Sequence, residues 1–181
     1  IAAELARSGN PWALPAFELA ILTTLRKGML FKLELAWLDT SGRFFRVPRE
    51  HQGKGNKVVP AFVVLSSRAA EIVAALPECK SGEHAGKLLG CSPNAVSLAW
   101  QRALAAARCR YEDEERAAGR CPKVGHLQGL RWHDLRHEGA SRLFECGLNP
   151  MEASAVTGHR SLNMLRRCVH LAPAQLLGKL G

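Results

Sequence analysis

The chain has 181 residues, of which 47% are hydrophobic, and a formal net charge of +9 at pH 7. That length suits one domain with an ordinary core, and a surplus of that size points to a polyanionic partner, most often nucleic acid, with a merely basic soluble protein as the alternative. The sequence excludes a membrane-spanning helix, because no apolar run is long enough, and it carries no signal peptide.

Six cysteines (Cys79, Cys91, Cys109, Cys121, Cys146 and Cys168) form no CxxC and no regular framework. Pairing of Cys79 with Cys91, or of Cys109 with Cys121, stays open, but free thiols in a reducing cytosol are the expectation, and with them a cytoplasmic location. Closely spaced Cys/His pairs are absent, so no structural zinc is expected. The first residue is Ile1 rather than Met, and the chain reads as a piece of a longer protein.

In chain order, residues 11 to 37 read as helices. Pro11 suits a first helical position, and Trp12, Leu14, Phe17, Leu19, Ala20, Ile21 and Leu22 lie near helical spacing. The run Thr23 to Gly28 interrupts them, with Gly28 as the expected break, and Leu30 to Trp37 is helix-friendly again. Asp39-Thr-Ser-Gly42 is a turn cluster. Arg43 to Pro48 and Val58 to Val64 read as paired strands around a basic loop at residues 51–57. That loop reads either as a hairpin with a lysine at its tip or as an ordinary solvated turn. Ser66 or Ser67 can cap a helix through Leu76, and Ser92-Pro93 starts an Ala-rich helix with its face at Ala95, Leu98, Ala99, Ala103, Leu104 and Ala107. Residues 111–119 are charged and expected at the surface, and residues 119–130 read as a loop. A helix follows from Trp132. Asn149-Pro150-Met-Glu152 carries a capping box for the next, which should stop at Gly158. Ser161 can cap a last helix through Leu162, Leu165, Cys168 and Val169, limited by Pro173. The fold class expected is α+β, mainly helical, with a small antiparallel hairpin, in one domain over residues 1–181.

The chemistry-bearing residues concentrate between Leu130 and Leu171. His133 and Arg136 are three residues apart on one expected helix face, Gly158-His159 falls between two helices, and Cys168 follows nine residues after His159. With Arg26 and Lys54 upstream, these side chains could surround one phosphodiester. Arg matches two phosphate oxygens with a planar fork and keeps its proton, while His can donate to phosphate or move a proton. Taken singly, each motif is read more simply as polar groups on a solvated surface. Their order and spacing as a set carry the weight.

That set resembles the catalytic domain of the tyrosine recombinases, the phage integrase family. The similarity lies in His133-Asp-Leu-Arg136-His137, in Gly158-His159, and in a nucleophile position nine residues later within Arg166-Arg167-Cys168-Val-His-Leu171. Upstream, Thr24-Leu-Arg26-Lys-Gly28 through Asp39 is similar to the family's first arginine segment, and Gly53-Lys54-Gly-Asn-Lys57 through Pro60 to its lysine hairpin. The resemblance implies that Arg26 and Arg136 grip the scissile phosphate, that His133 accepts or donates a proton, and that His159 hydrogen-bonds the phosphate. It implies Lys54 as general acid to the 5′ oxygen, with Lys57 a second candidate. Lys57, Arg160, Arg166 and Arg167 are further candidates for DNA contact. Site-specific strand cleavage and rejoining through a covalent 3′-phosphotyrosyl intermediate is the implied reaction, on duplex DNA, with no metal or other cofactor. It also implies a missing N-terminal DNA-clamping domain, weak DNA binding by a monomeric isolated domain, and a tetramer on DNA in the full protein, with protomers touching through the segment after Pro173.

Two positions depart from the pattern. The nucleophilic tyrosine falls at Cys168, and the chain's one tyrosine, Tyr111, lies in a charged stretch far from the motif. A thiol is several ångströms shorter than a phenol, and misplacement by about 1 Å is costly. The chain as given is therefore expected to bind but not cleave, whether Cys168 is an engineered or a natural replacement. The alternatives are a DNA-binding protein that keeps the recombinase fold without catalysis, and a cysteine-dependent enzyme using Cys168 with His159 or His170, for which no orienting third residue is evident. Second, the acid often found three residues after the first arginine is Met29 here, a change expected to affect local packing.

Overall fold

The computed structural model describes residues 1–52, 59–159 and 161–166. Eight helices and one two-stranded sheet run in the order α1 (Ala2–Ala6), α2 (Ala13–Thr23), α3 (Lys27–Leu30), β1 (Phe44–Arg46), β2 (Phe62–Val64), α4 (Ser67–Ala75), α5 (Pro93–Ala117), α6 (Asp134–Glu145), α7 (Pro150–Thr157) and α8 (Leu162–Arg166). Single 3-10 turns occupy Leu35–Trp37 and Arg49–His51. This is the expected α+β architecture, mainly helical.

The caps explain most boundaries. Ser66 and Ser92 accept from the amides of Ala69 and Ala95, each at 3.2 Å, and open α4 and α5. Asn149 and Glu152 close a full capping box at the start of α7, and Gly158 ends it at φ 70°. Ser161 accepts from Asn163 N at 3.2 Å at the start of α8. α2 begins two residues later than Pro11 suggests, because Asn10 folds its side chain onto the Trp12 amide at 3.0 Å and holds a turn there. α1 was not anticipated; its Leu5 is buried in the core.

Three expectations need correction. The break after α2 is not at Gly28, which lies inside α3; it is at Thr24, whose φ of 55° and ψ of 15° turn the chain left-handed. Residues 30–37 are not one helix. Leu33 O and Leu35 N instead pair with Leu88 N and Gly86 O at 2.9 Å each, which holds that backbone extended beside residues 86–88. The second strand begins at Phe62, not at residue 58. Pro60 lacks the N–H that a ladder needs, and beyond the strand the two segments are joined by single bonds, from Val47 N to Ala61 O at 2.9 Å and from Val59 N to Gln52 O at 2.7 Å. The antiparallel register pairs Phe44 with Val64, Phe45 with Val63 and Arg46 with Phe62, so Phe45 and Val63 face inward together. The charged stretch expected at the surface is the C-terminal part of α5, where Arg116 bridges Glu112 and Asp113.

α2 is the central element, packed against α1, α4, α5 and α6. One large core gathers Leu5, Leu19, Leu30, Leu33, Phe45, Leu65, Leu88, Val96, Trp100 and Leu135, and a smaller cluster of Phe144, Ala153 and Leu165 joins α6, α7 and α8. Met29 is part of the large core, consistent with a packing role. The ring of Phe17 stacks on Trp100 at 5.8 Å, and Trp100 meets Trp132 edge-on at 5.6 Å, which fixes the residues just before α6 against α2 and α5.

The closest approach is between α2 and α6. A Cβ on Gly139 would lie 2.1 Å from Ile21 O and 2.9 Å from Thr24 Cγ2. Ile21 is in the last turn of α2, and Thr24 begins the turn that leads into Arg26. Gly139→Ala is expected to cost about 1–3 kcal/mol through overpacking, measured by urea unfolding at constant m-value. A change within 0.5 kcal/mol would mean that α6 can slide without strain.

Candidate active site

Arg136 sits on α6 with 5% of its surface exposed. A buried guanidinium needs its hydrogens taken up, and acceptors come from both sides. Nη1 donates to Thr24 O, a partner 112 residues away in sequence. Nη2 donates to Thr157 O at 2.8 Å and lies 3.1 Å from His159 Nε2. The left-handed conformation of Thr24 is what presents that carbonyl to α6, and Thr157 is the last residue of α7. The guanidinium thus joins the end of α2, α6 and the turn between α7 and α8.

Arg26 follows Thr24 by two residues and is the extended cap of α3. His133 stands just before α6, exposed, its ring edge-on to His137 at 5.2 Å. His133, Arg136, Lys27, Trp132, Leu25 and Ala20 line one cavity of 220 Å³. His159 is 8% exposed; its Nδ1 lies 2.6 Å from Thr157 Oγ1. The structure brings Arg26, His133, Arg136 and His159 into one neighbourhood. Lys54, Lys57, Arg160, Arg167 and Cys168 lie outside the described residues, as do His170 and the side chain of Arg166. Pro60 lies beside the site: a Cβ on Gly158 would lie 2.9 Å from Pro60 Cδ.

Burial and neighbouring positive charge set the electrostatics here. Burial, followed by the charges of Arg136, Arg26, His137 and His133, pushes the His159 imidazole down to about 4. Partial desolvation lowers His133 as well, helped by His137, Arg136 and Arg26 and opposed by Asp134. Two histidines on separate segments thus feel the same two arginines, and a bound anion would relieve that crowding. Burial also lowers Lys27, which donates to Ser97 Oγ and lies 5.9 Å above the Trp132 ring.

Sequence reasoning did not single out Lys27, Thr24 or Thr157 as site residues. Thr24 escaped because its contribution is a backbone carbonyl, and a left-handed threonine has no sequence signature. Thr157 had one available signal, a hydroxyl two residues before His159. Tyr111 is engaged elsewhere: it stacks on His126 at 3.8 Å, and its hydroxyl accepts from Lys123 N at 3.1 Å. Cys79, Cys91, Cys109, Cys121 and Cys146 are free thiols, so neither candidate disulfide forms.

The model of the phage integrase family matches residues 2–175, and the chain belongs to that family. It is 33% identical over 175 residues to a shufflon-specific DNA recombinase of Escherichia coli, covering 96% of this chain but 38% of that protein. An integrase of Salmonella phage P22 is 25% identical over 159 residues, covering 88% of this chain and 39% of that protein, so the chain spans less than two fifths of the curated relatives it matches. Among solved structures, the catalytic domain of bacteriophage HP1 integrase has the same fold, with a TM-score of 0.61 at 21% identity over 99% of this chain and 86% of that one.

The depressed His159 has a signed consequence. Below its ordinary value near 6.5 the unfolded chain takes up a proton that the folded chain resists until about pH 4. The stability His159 contributes is therefore complete above 6.5 and is lost as pH falls toward 4. Melting curves of the parent and of His159→Gln, compared from pH 7 to pH 4.5, should show the parent losing ground steadily relative to the variant. Parallel curves would place the imidazole in solvent.

Proposed function

We propose that this chain is the strand-transferase part of a site-specific recombinase acting on duplex DNA, and that Arg26, Arg136, His133 and His159 bind the scissile phosphodiester. The observation that carries this reading is the convergence of two arginines and two histidines from three segments, with the histidines' charged forms disfavoured first by burial and then by the neighbouring charges, those arginines among them. Such a site supplies positive donors where charge grows on the non-bridging oxygens. Arg26 and Arg136 neutralise that charge, and His133, at the mouth of the cavity, exchanges protons. Lys54 protonates the departing 5′ oxygen, and Pro60, six residues on in the sequence, packs against Gly158 next to His159. Lys57, Arg160, Arg166 and Arg167 contact the flanking backbone, and no metal or other cofactor takes part.

Position 168 is the nucleophile position, so a protein with Cys168 binds without cleaving. Tyr111 does not replace it, being held by His126 and Lys123. In the full-length protein this domain follows a DNA-clamping domain, works in the cytoplasm and assembles as a tetramer on two sites, with the segment after Pro173 joining protomers.

Duplex binding should weaken with salt along a negative log–log slope, since most of the affinity comes from phosphates. Cys168→Tyr should yield a covalent protein–DNA adduct on a nicked suicide duplex, and the parent none. Adding Arg136→Lys to Cys168→Tyr should slow adduct formation by about 100- to 1,000-fold. A Cys168→Tyr protein that binds duplex DNA yet forms no adduct would overturn the assignment.

A further inference from the structure

Lys27 opens α3 directly after Arg26, and it lines the 220 Å³ cavity that His133 and Arg136 also line. The other lining residues are Ala20, Leu25 and Trp132, so no acidic side chain faces that space. The lysine is half-buried, and burying a charge is costly unless it is paired. Lys87, also half-buried, has that pairing, with Glu34 at 2.6 Å. Lys27 has none: burial pushes its pKa down, and no carboxylate among the described residues opposes the shift. Among the described residues its hydrogens find one acceptor, Ser97 Oγ, whose own hydroxyl hydrogen goes to Pro93 O at 3.0 Å. The Trp132 ring, 5.9 Å away, stands at the outer limit of about 6 Å for a useful cation–π contact. Trp132 supplies an independent observation. Its Nε1–H is buried with no acceptor among the described residues. An ammonium and an indole N–H on two segments thus border one cavity, and neither has an anion to receive it.

We propose that Lys27 is a further ligand of the phosphodiester: its ammonium donates to a non-bridging oxygen of the phosphate that Arg136 and His133 meet in this cavity. This rests on the phosphodiester reading above and adds one cation to it. The phosphate is then the counter-ion that the protein itself does not provide. Ser97 holds the side chain ready beforehand, and an ammonium with three hydrogens can keep that bond while it makes another. Lys27 supplies charge and no proton, so the acid at the 5′ oxygen is still Lys54. The competing account is a purely structural lysine whose stem packs on Trp132. Methionine tells the two apart, because it keeps an apolar stem and removes the charge. Arginine keeps the charge.

Binding of a fluorescent duplex oligonucleotide over a range of salt concentrations counts phosphate contacts. The slope of log Kobs against log salt should be shallower by about 0.9 in Lys27→Met than in the parent, and Lys27→Arg should keep the parent's slope. Inorganic phosphate titrated into the free protein locates the contact. It should shift the His133 ring signals, identified by their loss in His133→Gln, and bind about 10-fold more weakly to Lys27→Met than to the parent or Lys27→Arg. An unchanged slope or an unchanged phosphate affinity in folded Lys27→Met would overturn the proposal. So would His133 signals that phosphate leaves unmoved in the parent, since the contact would then lie outside this cavity. If Lys27→Met does not fold by circular dichroism, the Lys27 Cε signal of the parent decides: its titration midpoint must rise on adding the duplex, and an unmoved midpoint refutes the contact. A parent whose duplex affinity ignores salt refutes the phosphodiester reading and this proposal with it. A salt-dependent parent matched by Lys27→Met refutes the role of Lys27 alone.

Discussion

A guanidinium withdrawn from water is the constraint around which the chain is arranged. The charge of Arg136 cannot be given up, and an unpaired buried charge is among the most costly features a fold can contain. Its hydrogens must find acceptors, and those come from the end of α2 and from the turn after α7. Satisfying one side chain therefore fixes the relative placement of three helices. The same bonds bring Arg26, two residues beyond Thr24, and His159, two residues beyond Thr157, to the same place. Structural need and site geometry coincide because the donor that must be satisfied is also the one suited to phosphate.

The approach that makes this feasible depends on absent atoms. Gly139 has no Cβ where α6 meets Ile21 O, and Gly158 has none where the α7–α8 turn meets Pro60. Only the second of these needs a left-handed backbone as well. The first is a matter of space alone, since a methyl group there would push α6 off the turn that carries the arginine. Thr24 is the reverse case: a β-branched residue held left-handed, a conformation that costs energy and persists where surroundings over-determine it. Packing of Thr24 Cγ2 near Gly139 and the bond from Arg136 to its carbonyl provide that determination.

What could be read from the sequence divides along the same line. Signals within a few residues were legible: the Asn149 capping box, the Gly158 stop, Ser66 and Ser92 as caps, and the alternation that buries Phe45 and Val63. The family was legible through the order of its motifs along the chain, and the family match covers residues 2–175. Features decided by distant partners were not. The extended backbone at residues 33–35 follows from residues 86–88, which no local pattern announces. The left-handed Thr24 follows from α6. The contact of His159 with an arginine 23 positions away is likewise one that only coordinates reveal.

The bond between Arg136 and Thr24 closes a segment of more than a hundred residues, and that span bears on when the site comes into being. Loop closure over such a distance carries an entropic cost that local helices do not share, so contacts of this kind slow folding while helix formation is fast. α2, α4 and α5 can form and pack from the chain made before residue 136, but the guanidinium has its acceptors only once α7 is also present. During synthesis the growing chain therefore contains Arg26 and Arg136 before the acceptors around Arg136 are complete. α7, made after α2, α4, α5 and α6, completes the geometry, so the synthesis of the arginines and the ordering of their surroundings are separated in time by the topology of the fold.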